Sequence, residues 1–217
     1  MFEPHLLCRG RLRRATSDRK NDMLNELFAY VCGQGRPFVL DGEALPVCQR
    51  CLGLYAGAAL TGLWILASGL WRRGLPERSA AYAHIVMLLA AMAGGVHWLD
   101  AGPTWRLVCG LWTGHVAMLW LVGGAAHFLR LAGREPFQDP PWPRGLRIQA
   151  LAAGPVLAML AVAFTQFVSS GWHVAAGLIV IGAAGLAVAL VRAAVGVGAW
   201  AFTTFRRPRR SVAPSRP

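Results

Sequence analysis

The stretch "LPVCQRCLGLYAG", Leu45 to Gly57, sets two cysteines three positions apart at the point where the chain turns from polar residues into the uncharged run Leu52 to Trp71. As a helix, a run of roughly 20 apolar residues is long enough to cross the ~30 Å hydrocarbon core of a bilayer. Four more such runs follow: Ala80 to Leu99, Leu107 to Leu129, Ile148 to Val168 and Trp172 to Val191. Of the 217 residues, 55% are hydrophobic and only 15% charged. A soluble domain covers its surface with about 25% charged residues, and core helices would need a polar shell that this composition does not supply. The expected fold is therefore all-α: an integral membrane protein with about five transmembrane helices, preceded by a short N-terminal interfacial helix and a Cys-bearing hairpin. Trp71, Trp98, Trp105 and Trp172 stand at or near the ends of the runs, where indole rings favour the interface.

The net charge of +12 comes from basic residues spread over joints and tails rather than along one helical face, which argues against nucleic acid as a partner. Arg72, Arg73 and Arg78 join runs one and two, and Arg130, Arg134, Arg144 and Arg147 join runs three and four. Arg206, Arg207, Arg209 and Arg210 follow run five, while the remaining joints hold only Arg106. Short basic joints stay in the cytoplasm. The expected setting is the inner (cytoplasmic) membrane of a bacterial cell, N-terminus outside and C-terminus cytoplasmic. The basic segment "RGRLRRATSDRK", residues 9–20, opposes this orientation, but its distance from run one weakens its influence. No apolar h-region follows Met1, so run one is expected to act as the insertion signal in place of a cleavable peptide. The lipid bilayer is the expected partner, with room for a membrane-protein partner.

Four segments are expected: a flexible basic arm (1–20), the interfacial helix and Cys-bearing hairpin (21–51), the transmembrane domain (52–191) and a basic tail (192–217). Met23, Leu24, Leu27, Phe28 and Val31 recur at helical spacing behind Asn21 or Asp22 as N-cap, over too short a length to span. In "PFVLDGEALPV", Asp41-Gly42 between apolar runs is a hairpin signal, and the turn would fold Cys48 back toward Cys32. Gly53 and Gly57, and again Gly110 and Gly114, have the small-xxx-small spacing that permits close helix contact in lipid. His115, inside run three, and Gln166, in run four, are expected to make helix-helix hydrogen bonds. His84 and His127 are expected at the cytoplasmic interface.

Cys48 and Cys51 form a C-x-x-C where a helix begins, a place where free amides and the macrodipole favour thiolate. In the expected topology His97, Asp100, Arg106 and Cys109 lie at the same membrane level. Three readings stay open. As a metal site, Cys32, Cys48 and Cys51 would give three thiolates to a zinc-like transition metal, with His97, Asp100 or Cys109 as the fourth ligand. As a thiol-disulfide oxidoreductase, Cys48 and Cys51 would cycle between dithiol and disulfide, with Cys32 or Cys109 as resolving partner. As a non-catalytic helical scaffold, the cysteines would be structural. No Walker loop, Rossmann fingerprint, H-E-x-x-H or nucleophile elbow is present.

On these residues the chain resembles the family called Domain of Unknown Function 2085, small multi-pass membrane proteins of bacteria and archaea. Pro46, Cys48, Arg50, Cys51, Gly53, Tyr55 and Gly57 match its block at the start of a membrane helix, and Cys32, Gln34, Arg36 and Phe38 match upstream. Gly33 stands where the family has His. In "DAGPTWRLVCGLWTG", Asp100, Arg106, Gly110 and Gly114 fit a second, looser block, with Cys109 in place of Thr. The resemblance implies that the three thiols and the Asp100 region form one functional unit. No activity is attached to the family.

Overall fold

The computed structural model describes residues 39–40, 43–45, 47–95, 102–133, 144–167 and 172–206. The basic arm and the interfacial helix expected at residues 21–31 lie outside them. Val39–Leu40 (β1) and Glu43–Ala44 (β2) pair antiparallel, Val39 opposite Ala44 and Leu40 opposite Glu43, on either side of Asp41-Gly42. The expectation that Cys48 folds back toward Cys32 lies outside the described residues. Five α-helices follow: α1 Gln49–Ser68, α2 Arg78–Gly95, α3 Pro103–Leu131, α4 Arg144–Phe167 and α5 Trp172–Arg206. Three are long and apolar enough to cross a membrane, namely α1, α3 and His173–Arg206 of α5, while Arg78–Gly94 is a shorter apolar helix. The helix α5 runs on through Arg206, where a basic tail was expected from residue 192. Its sequence is rich in Ala and Val and meets no proline before Pro208, so nothing local stops the helix at the charge of Arg192.

Among the described residues, Gly69, Gly102 and Gly133 have backbone that side chains rarely adopt. Gly69 caps α1 at φ 69°, its amide donating to the carbonyls of Ile65 and Leu66, as left-handed C-terminal residues do. Gly102, at φ 101° and ψ −169°, brings the chain into α3, with Pro103 in the first turn, where its missing N–H costs nothing.

The interface between α1 and α3 is the most extensive in the molecule. Both expected glycine pairs make it. A Cβ on Gly53 would strike the Leu107 carbonyl, and one on Gly57 the Leu111 carbonyl. A Cβ on Gly110 would strike the Arg50 carbonyl, and one on Gly114 the Leu54 carbonyl. Backbone therefore lies on backbone over two turns, which lipid-embedded helices exploit because apolar side chains gain nothing by leaving lipid tails. Gly182 brings α5 onto α1 in the same way, against the Tyr55 carbonyl.

These contacts also fix direction. Residues 53, 57 and 62 of α1 meet 107–110, 111 and 118 of α3 in ascending order, so the two helices are parallel. Gly182 at Tyr55 and Gly196 at Ala125 set α5 parallel to both. In α2 the order reverses: Gly94 meets Cys109, while His84 meets His115 and Trp120 deeper in α3. In α4, Gln149 accepts from the Trp64 indole near the end of α1, and the Gly154 carbonyl accepts from the Trp112 indole. Leu157 joins the cluster of Leu52, Leu107 and Leu111. Odd helices thus run one way and even helices the other, with Cys48, Cys51 and Cys109 at one end of the bundle together with Arg50 and Arg106, and Arg72, Arg73, Arg78, Arg130 and Arg144 at the other.

Candidate thiol site and a buried histidine pair

The segment before α1 is anchored by Leu45 and Val47, both buried in the core cluster. That anchoring delivers Cys48 as the N-cap of α1, in extended conformation and with no side-chain capping bond; the first helical bond runs from the Leu52 amide to the Cys48 carbonyl at 2.9 Å. Cys51 lies in the first turn and is half-buried, on the cysteine end of the core. Cys48 and Cys51 thus stand three positions apart at the very start of α1.

Between them sits Arg50, whose Nη2 donates to the Gly94 carbonyl across to the last turn of α2, at 2.8 Å. A carbonyl in the last turn has no intrahelical donor, and a guanidinium satisfies it with a charge-assisted bond. Cys109 of α3 is 1% exposed and packs beneath the same glycine. A Cβ on Gly94 would lie 2.9 Å from both the Cys109 Sγ and the Trp105 Nε1. The Trp105 Nε1 is buried and without an acceptor, and its ring meets Trp112 edge-on at 5.7 Å. Trp105, half-buried in the first turn of α3, helps to close the junction. The starts of α1 and α3 and the end of α2 are thus tied together around Gly94.

Of the expected ligands, Cys48, Cys51 and Cys109 are brought to this end, while Cys32, His97 and Asp100 lie outside the described residues. Among the described residues, no three His, Cys, Asp or Glu side chains gather where they would hold a metal ion. Gly94 is absent from the sequence reading, which names Arg50 only as a matching motif position and Trp105 only as a residue at the end of a run. Arg50 carries the one available signal, a permanent charge between two thiols at the mouth of an apolar run.

Deeper in the bundle lies a second polar group. His115 is 2% exposed, and its Nδ1 is 2.9 Å from the Thr61 Oγ1 of α1, so the expected helix-helix hydrogen bond is present. His84, 1% exposed, is not at an interface: the Trp120 Nε1 donates to its Nδ1 at 3.2 Å, and its ring meets His115 edge-on at 5.4 Å. An indole N–H only donates, so the His84 Nδ1 is an acceptor and its proton sits on Nε2. The helical rotation of α2 decides this, since residue 84 faces α3 where the charge pattern had suggested only depth. The Nε2 atoms of both rings lack a hydrogen-bond partner.

Residues 32–120 match a family described as "Predicted membrane protein (DUF2085)", so the resemblance carried by the C-x-R-C block holds over this stretch. The match covers α1, α2 and the first two thirds of α3, which include every residue of the junction around Gly94. No curated protein and no solved structure matches the chain.

Proposed function

We propose that this is a five-pass protein of the bacterial inner membrane whose cysteine end faces outward and binds a thiophilic, zinc-like metal ion. Cys32, Cys48 and Cys51 supply the thiolates in this reading, and His97, Asp100 or Cys109 completes a tetrahedral set. The observation that carries it is the Arg50 bond to the Gly94 carbonyl. That bond holds the C-x-x-C against the helix end from which the chain proceeds, two residues beyond Gly95, to His97; Asp100 precedes Gly102 by two residues. A guanidinium and a helix N-terminus beside two thiols make the electropositive surroundings in which thiolate persists. The alternating helix directions and the basic joints at the opposite end, with Arg72, Arg73, Arg78, Arg130 and Arg144, support the orientation, by the same rule that keeps basic joints in the cytoplasm.

A thiol-disulfide oxidoreductase is the second reading, favoured by the C-x-x-C occupying the N-cap and first turn of α1. Alkylation rates of Cys48 and Cys51 in the detergent-solubilised protein separate the two. Labelling that is slow until a chelator is added supports the metal site. Labelling that depends on reductant and ignores the chelator replaces it with the redox pair.

A further inference from the structure

At the arginine end, the Trp71 ring carries two cations: the Arg72 guanidinium carbon lies 4.5 Å from its centroid and that of Arg192 lies 5.6 Å away. Arg72 is held there through its backbone, because buried Arg130 donates to its carbonyl. A groove of about 320 Å³ leads away from Trp71 and Arg192 between α1 and α5, floored by Met118 and Val122 of α3. Except at this basic end, every side chain that lines it is Ala, Leu, Ile, Met or Val, interrupted only by Gly. No carboxylate is among them. Leu66 and Val188, on its two rims, are 67% and 69% exposed, so the groove opens sideways, where a membrane helix meets lipid.

Its length is informative. From Ile181 to Arg192 the wall formed by α5 rises about 16 Å at 1.5 Å per residue, close to half of the ~30 Å hydrocarbon thickness. It therefore extends from one interface to about the middle of the bilayer, the depth of one leaflet. Arg72 and Arg192 bring two guanidinium groups to one indole, and a phosphate accepts bidentate hydrogen bonds from such groups. We propose that the groove is a binding site for an anionic phospholipid, with one acyl chain lying between α1 and α5 and the headgroup phosphate held by Arg72 and Arg192 above Trp71. A free phosphate has no use for an apolar channel of leaflet depth, and a zwitterionic lipid carries a cation toward the two arginines.

The test uses the full-length protein, delipidated in a nonionic detergent and supplied with phosphatidylglycerol, phosphatidylcholine of the same chains, or inorganic phosphate. Bound lipid is counted by native mass spectrometry, and thermal unfolding is followed in parallel. One phosphatidylglycerol per chain is expected, retained roughly tenfold or more in preference to phosphatidylcholine, with roughly fivefold lost for each arginine removed in Arg72→Gln and Arg192→Gln. Replacing both arginines with Lys, which keeps the charges and removes the bidentate fork, should keep only part of the preference. Ala184→Phe, which fills the groove from an exposed position and leaves both arginines in place, should abolish retention. Equal retention of the two lipids overturns the proposal, as does parent-like binding by Ala184→Phe or equal stabilisation by phosphate alone.

Discussion

The two apolar helices α3 and α5 solve opposite problems. Over its most hydrophobic stretch α3 is 67% buried inside the molecule, and α1, its main neighbour, is 56% buried; α5 is the most apolar of the three yet only 22% buried. In lipid, burying a leucine against protein gains little over leaving it among acyl chains, so helices associate through close backbone approach and hydrogen bonds. Both devices concentrate on α1, α2 and α3: four of the five glycines with a carbonyl where a Cβ would be, the Arg50 bond to Gly94, the Thr61–His115 pair and the Trp120–His84 pair, whereas α5 contributes the fifth such glycine, Gly182 against Tyr55. On α5 the exposed large side chains are Val, Leu and Ile as far as Val197, Val188 and Val191 foremost, followed by Trp200, Phe202 and Phe205 in its last turns. A polar working site needs fixed neighbours, and the molecule puts its thiols where those neighbours are.

The comparison breaks most visibly at glycine. Gly110→Leu should cost on the order of 3 kcal/mol or more, because the added side chain meets the Arg50 backbone rather than a movable group. On α5, Gly177→Leu and Gly198→Leu, with nothing within 4 Å of the added Cβ, should change stability by about 0.5 kcal/mol or less. Thermal unfolding in detergent measures both, and equal losses on the two helices would remove the distinction. Next in size is Arg50→Gln. Losing the charged bond to Gly94 should cost about 1.5–3 kcal/mol and speed alkylation of Cys51; an unchanged rate would mean that the arginine does not order the thiols.

Much of the first region could be read before any coordinates, because its signals are local. A C-x-x-C before an uncharged run sets where α1 begins, and glycines four apart mark the helix faces that touch. Partnership across helices was less legible. Depth follows from position along a run, but rotation does not, so His84 read as an interface residue although it faces His115. In sequence Arg192 marks the end of the uncharged run, whereas the helix continues to Arg206, because one arginine reaching over Trp71 does not end it. Gly94 has no signal of its own, since its carbonyl acquires a role only when Arg50 arrives from another helix.

Two smaller effects sharpen the contrast. Thr61→Val removes the hydrogen bond to His115 and should cost about 0.6 kcal/mol, the average for such bonds within membranes. A loss several times larger would show that the histidine pair depends on Thr61 to hold its ring. Val191→Leu, 65% exposed before substitution, should leave the melting temperature unchanged within error, as expected where protein apolar surface meets lipid. A clear loss there would place an unrecognised protein contact on α5.

The metal ion proposed for the cysteine end of α1, α2 and α3 would leave with the thiols that hold it. The most direct test is the metal content, by elemental mass spectrometry, of the protein purified in detergent without chelator, beside a Cys48→Ser, Cys51→Ser double variant. Close to one equivalent of a zinc-like metal in the parent and none in a folded double variant is the predicted result. No metal in the parent, or the same metal in both, would contradict the proposal.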